Sequence, residues 1–230
     1  MIRIEDADLE RAVLAGEMGI AIPAEIYLPV DGEPKITTFA LCEEPVREYA
    51  SRFAGELLSD AALAWLGARI GPQMAIYGYA FDREPSGVIE EYLAEKQTRL
   101  PTENKALRLD LAGNQGICEN ETSVEIEPES AEQNAVFAVV ENGRIVSLAC
   151  VNDAEYSSGA VELYVETAPK HRNKGYGKMC VAALANHFLQ QEKTVWYKCY
   201  AENSASVAIA RSCGFHLVGK RAAMVCYADV

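Results

Sequence analysis

Arg172-Asn173-Lys174-Gly175-Tyr176-Gly177-Lys178 joins an extended segment, Val161 to Thr167, to a helix-like segment, Lys178 to Gln190. Strand, short glycine loop and helix amino terminus together make an anion site. The first backbone N–H groups of a helix have no internal partners, and the helix dipole places partial positive charge beside them. Glycines at 175 and 177 let the main chain approach a phosphate closely, and Arg172, Lys174 and Lys178 add cationic side chains. The run is not a G-x-x-x-x-G-K-[ST] phosphate loop. Nor is it the dinucleotide fingerprint, because the position of the third glycine is Cys180. Alone, the two glycines read equally as a phosphate cradle and as a tight turn.

The flanking segments change that balance. Downstream lie an extended run, Thr194 to Tyr200, then Glu202-Asn203-Ser204-Ala205-Ser206 and a helical stretch to Arg211. The stretch stops at Gly214-Phe215, and extended segments follow around Leu217 and from Met224 to Tyr227. Two ordered signatures, R-x-x-G-x-G after a strand and N-x-x-S, helix, G-F, are thus present at Arg172 to Gly177 and at Asn203, Ser206 and Gly214-Phe215. Over roughly residues 132–230 the chain resembles the GNAT superfamily of N-acetyltransferases.

Upstream, Ala135 to Glu141 and Arg144 to Asn152 are apolar and strand-like, with Asn142-Gly143 as a hairpin turn between them. Hairpin, strand, loop, helix, strand, helix, strand is the order that the resemblance requires. The expected fold is α/β: a mixed, mostly antiparallel sheet with two splayed parallel strands, flanked by helices, plus a smaller mixed α/β amino-terminal region. In that region Glu44 to Leu58 and Asp60 to Ile70 read as helices, with Gly71-Pro72 as a stop, and Ser86 to Leu100 reads as a third. Ile36 to Cys42 and Met74 to Phe81 read as strands. The polar, acidic stretch 101–131 places the division between residues 1–118, of unassigned role, and the acetyltransferase-like residues 119–230.

Composition narrows the function classes. The chain has 230 residues, half of them apolar, and a net charge of −13. No apolar run approaches the ~20 residues of a membrane span, and the acidic start Met1-Ile2-Arg3-Ile4-Glu5-Asp6 has no signal-peptide pattern. Seven cysteines without C-x-x-C spacing read as free thiols in a reducing cytoplasm, and His171, His187 and His216 have no metal-ligand spacing. Residues 168–225 hold nine Lys or Arg against Glu192 and Glu202, a local +7. A basic zone in an acidic chain suits a small polyanion such as a phosphorylated coenzyme. The acidic remainder speaks against nucleic acid and weakly for an amine partner.

The resemblance implies acetyl-CoA as cofactor, wedged between strands 161–167 and 194–200. It implies that the backbone of Val165 and Thr167 bonds the acyl carbonyl and the pantetheine amides. The loop Arg172, Asn173, Lys174, Gly175, Tyr176, Gly177 and Lys178 would hold the pyrophosphate, with Asn203 and Ser206 near the pantetheine arm. The thioester is already activated, so the reaction needs a base for the amine and an acid for the leaving thiolate, not an enzyme nucleophile. Glu162 is the expected base, because its depth in the strand desolvates it; Glu166 shares its face, with Tyr164 between. The acid is open, because Ala210 occupies the position where many members carry a tyrosine. Tyr200 is the first choice, with Tyr164, Tyr227 or a water as alternatives. The expected acceptor is a small-molecule or peptide amine, with no nucleic acid and no membrane, and the resemblance leaves room for a homodimer. A non-catalytic acyl-CoA sensor of the same fold is the alternative reading.

Overall fold

The computed structural model describes residues 2–6, 10–15, 18–81, 87–101, 105–109, 119–124, 135–152 and 159–228. The chain forms two compact units: Met1–Glu90 with Tyr200–Glu202 and Val218–Val230, and Glu91–Cys199 with Asn203–Leu217. The expected division at 118/119 falls at Cys118, outside the described residues. The first unit takes in the carboxy-terminal segment, which pairs with a strand from the first 30 residues.

The first unit contains β1 (Arg3–Asp6), α1 (Glu10–Leu14), β2 (Ile20–Pro29), β3 (Lys35–Thr38), α2 (Glu43–Arg52), α3 (Asp60–Ala75) and β4 (Tyr79–Ala80), with most of β12 (His216–Ala228). Its strands lie in the order β1-β3-β2-β12, with β4 on β12. Ile26, Ile36, Val46, Tyr49, Leu66, Ile70 and Met74 are fully buried in its core. Several expected elements differ here. The helix expected to 58 ends at Arg52, where the chain turns so that Leu57 O accepts the Tyr49 hydroxyl. The helix expected to stop at Gly71-Pro72 continues to Ala75, because Met74, one turn beyond Ile70, is buried on the same face. That takes Met74 and Ala75 from the expected strand and leaves only Tyr79–Ala80 extended. Tyr79 is buried, with its hydroxyl on the Val13 carbonyl at 3.1 Å. The strand expected over 36–42 ends at Thr38, and a 3₁₀ turn covers Ala40–Cys42.

The second unit contains most of β5 (Ile89–Ala94), then β6 (Leu107–Arg108), β7 (Glu119–Asn120), β8 (Phe137–Glu141), β9 (Arg144–Val151), β10 (Ala160–Thr167), α4 (Tyr176–Leu189), β11 (Thr194–Tyr200) and α5 (Ser204–Ser212). Its order is β5-β11-β10-β9-β8-β6, with β7 beside β9. The helix expected over 86–100 is β5 instead; Ser86 lies outside the described residues. Ile-Glu-Glu-Tyr-Leu-Ala favours a helix locally, but pairing with β11 and burial of Tyr92 and Ala94 override that preference. The β8–β9 hairpin turns at Asn142 and Gly143, both left-handed with φ of 52° and 76°, as its sequence predicts. α4 buries Gly177, Cys180, Val181, Leu184, Ala185 and Phe188, one stripe at helical spacing. This stripe shares a core with Val139, Val146 and Ala149, which fixes the start of α4 above β10.

Candidate functional site

β10 and β11 run parallel and pair from Ala160↔Thr194 to Leu163↔Tyr197, where the ladder ends. β10 continues to Thr167 and β11 to Tyr200, so the two strands part beyond that rung. On the other side β10 stays paired with β9 to Thr167↔Ser147. Asn152 N donates to Glu162 O at 2.9 Å and Ala168 N to Val146 O at 3.0 Å, so even-numbered residues bond β9. The N–H and C=O of Val165 and Thr167 therefore face the gap that β11 leaves.

The glycine loop closes one end of that gap. After Thr167 a 3₁₀ turn, Pro169–His171, leads into Asn173 at φ 63° and Gly175 at φ 79°. Both are left-handed, the region that asparagine and glycine enter most readily. α4 begins at Tyr176 with no side-chain cap, and its first ladder bond is Met179 N to Gly175 O at 3.1 Å. The N–H groups of Tyr176, Gly177 and Lys178 thus precede the ladder. Gly177 permits the close approach: a Cβ there would stand 3.1 Å from both Ile209 Cδ1 and Thr167 Oγ1. A cavity of about 450 Å³ opens here. Val165, Thr167, Arg172, Asn173, Gly175, Tyr176, Gly177, Lys178, Asn203 and Ser206 line it, so ten of the residues expected around the cofactor come together. Arg172 Nε donates to Thr167 O at 3.2 Å, and Asn203 caps α5 by accepting from Ser206 N at 3.1 Å.

Lys174, the eleventh, does not line the cavity. Its ammonium lies 3.6 Å from Glu141 Oε2, within a cluster invisible in the sequence. His171 places Nδ1 3.0 Å from Glu141 and Nε2 3.3 Å from Glu121, while the Tyr176 hydroxyl donates to Glu141. Tyr176, then Lys174 and His171, hold the Glu141 carboxyl below its usual range against the opposing effect of burial. Glu141 in turn pushes the Tyr176 phenol up. His171 and Tyr176 line the cavity, so this cluster pins the loop. The partners are 30 to 50 residues apart in sequence, and no local pattern links them.

Neither expected catalytic residue lines the cavity. Glu162 is held by Lys198 Nζ at 2.8 Å and Asn152 Nδ2 at 3.2 Å, with its side chain 13% exposed. Tyr200, at the end of β11, is half exposed, its ring against Gly87. Glu166 does line the cavity. Ser123 donates to it through N at 3.0 Å and Oγ at 2.6 Å. Burial works to raise the Glu166 carboxyl, but Ser123, Tyr164 and Arg172 outweigh it and the net direction is down. Ala210 is fully buried in α5, and the neighbouring Ile209 lines the cavity instead. Tyr197, on the last rung of the ladder, is pushed up to about 12 by burial, with a hydrogen bond from Ser206 acting against it. Cys180 is buried beneath the loop, and burial raises its thiol to about 11. Among the described residues no group of His, Cys, Asp and Glu is arranged to hold a metal, and no helix is long and apolar enough to cross a membrane.

Comparison with known proteins places this geometry. A family model described as GNAT acetyltransferase matches residues 131–223. No curated protein matches the chain in sequence. Among solved structures, a GNAT-family protein from Novosphingobium aromaticivorans is similar with a TM-score of 0.50 and 13% identity, over 66% of this chain and 69% of that one. A GNAT-family acetyltransferase from Colwellia psychrerythraea matches with a TM-score of 0.47 and 12% identity, over 66% and 60%. A Salmonella typhimurium protein, described as an acetyltransferase with its cofactor acetyl-CoA, matches with a TM-score of 0.35 and 21% identity, over 42% and 66%. The Novosphingobium structure carries the likeness of fold, a mostly antiparallel open sheet flanked by helices. Residues 131–223, which include the lining of the cavity, match the GNAT acetyltransferase family model, and the fold around them is that of GNAT-family structures.

Proposed function

We propose that this chain is an acetyl-CoA-dependent N-acetyltransferase in which a primary amine attacks the thioester directly. The observation that supports this most is a single cavity bounded by the interrupted β10–β11 ladder and the uncapped start of α4. The residues fit the coenzyme: N–H groups of Tyr176 to Lys178 and the cations Arg172 and Lys178 for phosphates, strand amides of Val165 and Thr167 for a polar arm. Bound acetyl-CoA supplies an activated acyl carbonyl. Glu162 takes a proton from the acceptor nitrogen at its carboxylate, oriented by Lys198 and Asn152. A strand N–H of β10 would stabilise charge developing on the acyl oxygen. Tyr200 would supply its hydroxyl proton to the leaving sulfur. The acceptor is a small-molecule or peptide amine, without nucleic acid or membrane, in a reducing cytoplasm that keeps the thiols free, and a homodimer is compatible with this.

A second reading, an acyl-CoA sensor without turnover, draws on Ala210, which leaves α5 without the hydroxyl many members carry. Thermal unfolding with acetyl-CoA, free coenzyme A and ADP tests both. Stabilisation at 100 times the dissociation constant is about 2.7 kcal/mol. A rise in Tm larger for the coenzymes than for ADP supports the cofactor site, and acetylation of any amine then selects the enzyme over the sensor. No shift at saturating coenzyme overturns both.

A further inference from the structure

Ser147 on β9 is a polar residue with no exposed surface, set directly behind the cavity wall. Its Oγ lies 3.1 Å from Glu166 O and 2.8 Å from Thr167 Oγ1. Cys180 Sγ covers it at 3.5 Å from Ser147 O and 3.7 Å from Ser147 Oγ. Thr167 lines the cavity, beside the close approach of Gly177.

Counting protons gives this pair a direction. A serine or threonine hydroxyl has one proton to donate and two lone pairs, and a carbonyl only accepts. Both Ser147 contacts are hydrogen bonds only if Ser147 donates to Glu166 O and accepts from Thr167. The Thr167 proton is then directed into the wall, and Thr167 Oγ1 offers only lone pairs to the cavity. The uncapped start of α4 offers only N–H donors. The cavity therefore holds donors at the helix end and, on β10 beside the strand carbonyls, a hydroxyl fixed as an acceptor.

We infer that Ser147 is a positioning residue that fixes the Thr167 hydroxyl as an acceptor, and that Thr167 selects a ligand bringing an amide N–H to that point. The inference rests on reading the cavity as the coenzyme site, and it concerns the pantetheine arm, which carries amides, rather than the nucleotide end, where phosphates accept. Orphaning one buried polar partner costs about 1–3 kcal/mol, so the effect is large enough to read as affinity.

The test is calorimetric titration of the intact protein with free coenzyme A and with ADP, which lacks the arm. Thr167→Val removes the hydroxyl at constant shape, and coenzyme A affinity falls roughly fivefold to a hundredfold while ADP affinity is unchanged. Thr167→Ser restores coenzyme A affinity to within about twofold. Ser147→Ala weakens coenzyme A, but adding it to Thr167→Val causes no further loss, because its effect passes through that hydroxyl. If Thr167→Val fails to fold, Thr167→Ala reads the same loss. Parent-like coenzyme A affinity in the threonine variants overturns the inference, as does a Ser147→Ala loss that adds in full to theirs. A parent that binds ADP and coenzyme A equally well overturns it while sparing the phosphate site. A parent that binds neither overturns the cofactor reading and this inference together.

Discussion

Gly175 and Gly177 serve different physical needs two residues apart. Gly175 has open space around it but a left-handed backbone, whereas Gly177 has ordinary backbone and side chains of Ile209 and Thr167 packed tightly against the place of a Cβ. Gly175→Ala is expected to cost about 1–2 kcal/mol of stability through backbone strain. Gly177→Val, by crowding Ile209 and Thr167, is expected to lower coenzyme affinity about tenfold or more. Unfolding and titration of the two variants check this separation. Glu162→Gln is expected to lower turnover at least about a hundredfold where the carboxylate is ionised. The deficit narrows on acidification, since the parent then loses its own base; a ratio independent of pH counts against the role. Glu141 adds a stability signature. Its carboxyl sits below the ordinary 4.5, so its contribution is present above that value and lost as pH falls through the lowered one. Melting curves through the acid range should show a shallower loss for Glu141→Gln than for the parent. Of these residues the glycines were legible in the sequence, because their spacing follows from the loop itself. Glu141, Ser123 and Ser147 were not, because their roles arise from strand pairing across distant segments.

At the scale of elements, legibility followed how far local preference agreed with packing. The β8–β9 hairpin, β10, α4 and α5 were readable, since Asn142-Gly143, the α4 apolar stripe and the Asn203 cap each act within a few residues. β5 was misread as a helix because nothing local announces its partner β11, and α3 ran past Pro72 because burial of Met74 outweighed a terminal-turn proline. The parting of β10 and β11 was expected from the resemblance, and the register locates it after Leu163↔Tyr197. α3 offers an elementary test. Ser59 caps it by accepting from Ala62 N at 3.2 Å, with an extended backbone at the cap. Ser59→Ala is expected to destabilise the protein by about 1 kcal/mol, and replacement by Asp or Asn to restore most of it, measured by chemical unfolding.

Across the whole molecule, charge was legible as a sum but not as a pattern. The basic zone read from 168–225 is substantially neutralised where the chain folds: Lys174 meets Glu141, Lys198 meets Glu162, and Lys220 meets Glu90 at 2.8 Å. Arg172 and Lys178 are the lysine and arginine side chains that line the cavity, so the proposed phosphate binding rests on two side chains and a helix start rather than on a +7 surface. The compact units depend on a long-range pairing. The first unit needs β12, whose residues Gly219–Tyr227 pair with Ile20–Pro29 on β2. On a ribosome, β2 and β3 emerge roughly two hundred residues before that strand; at about 5–20 residues per second the unfinished sheet waits ten seconds or more. During that interval β2 has β3 on one side and an open edge on the other, with Ile20 and Ile22 exposed upon it. An edge left open in this way is a template for pairing with other chains, and the order of synthesis sets which unit is completed last.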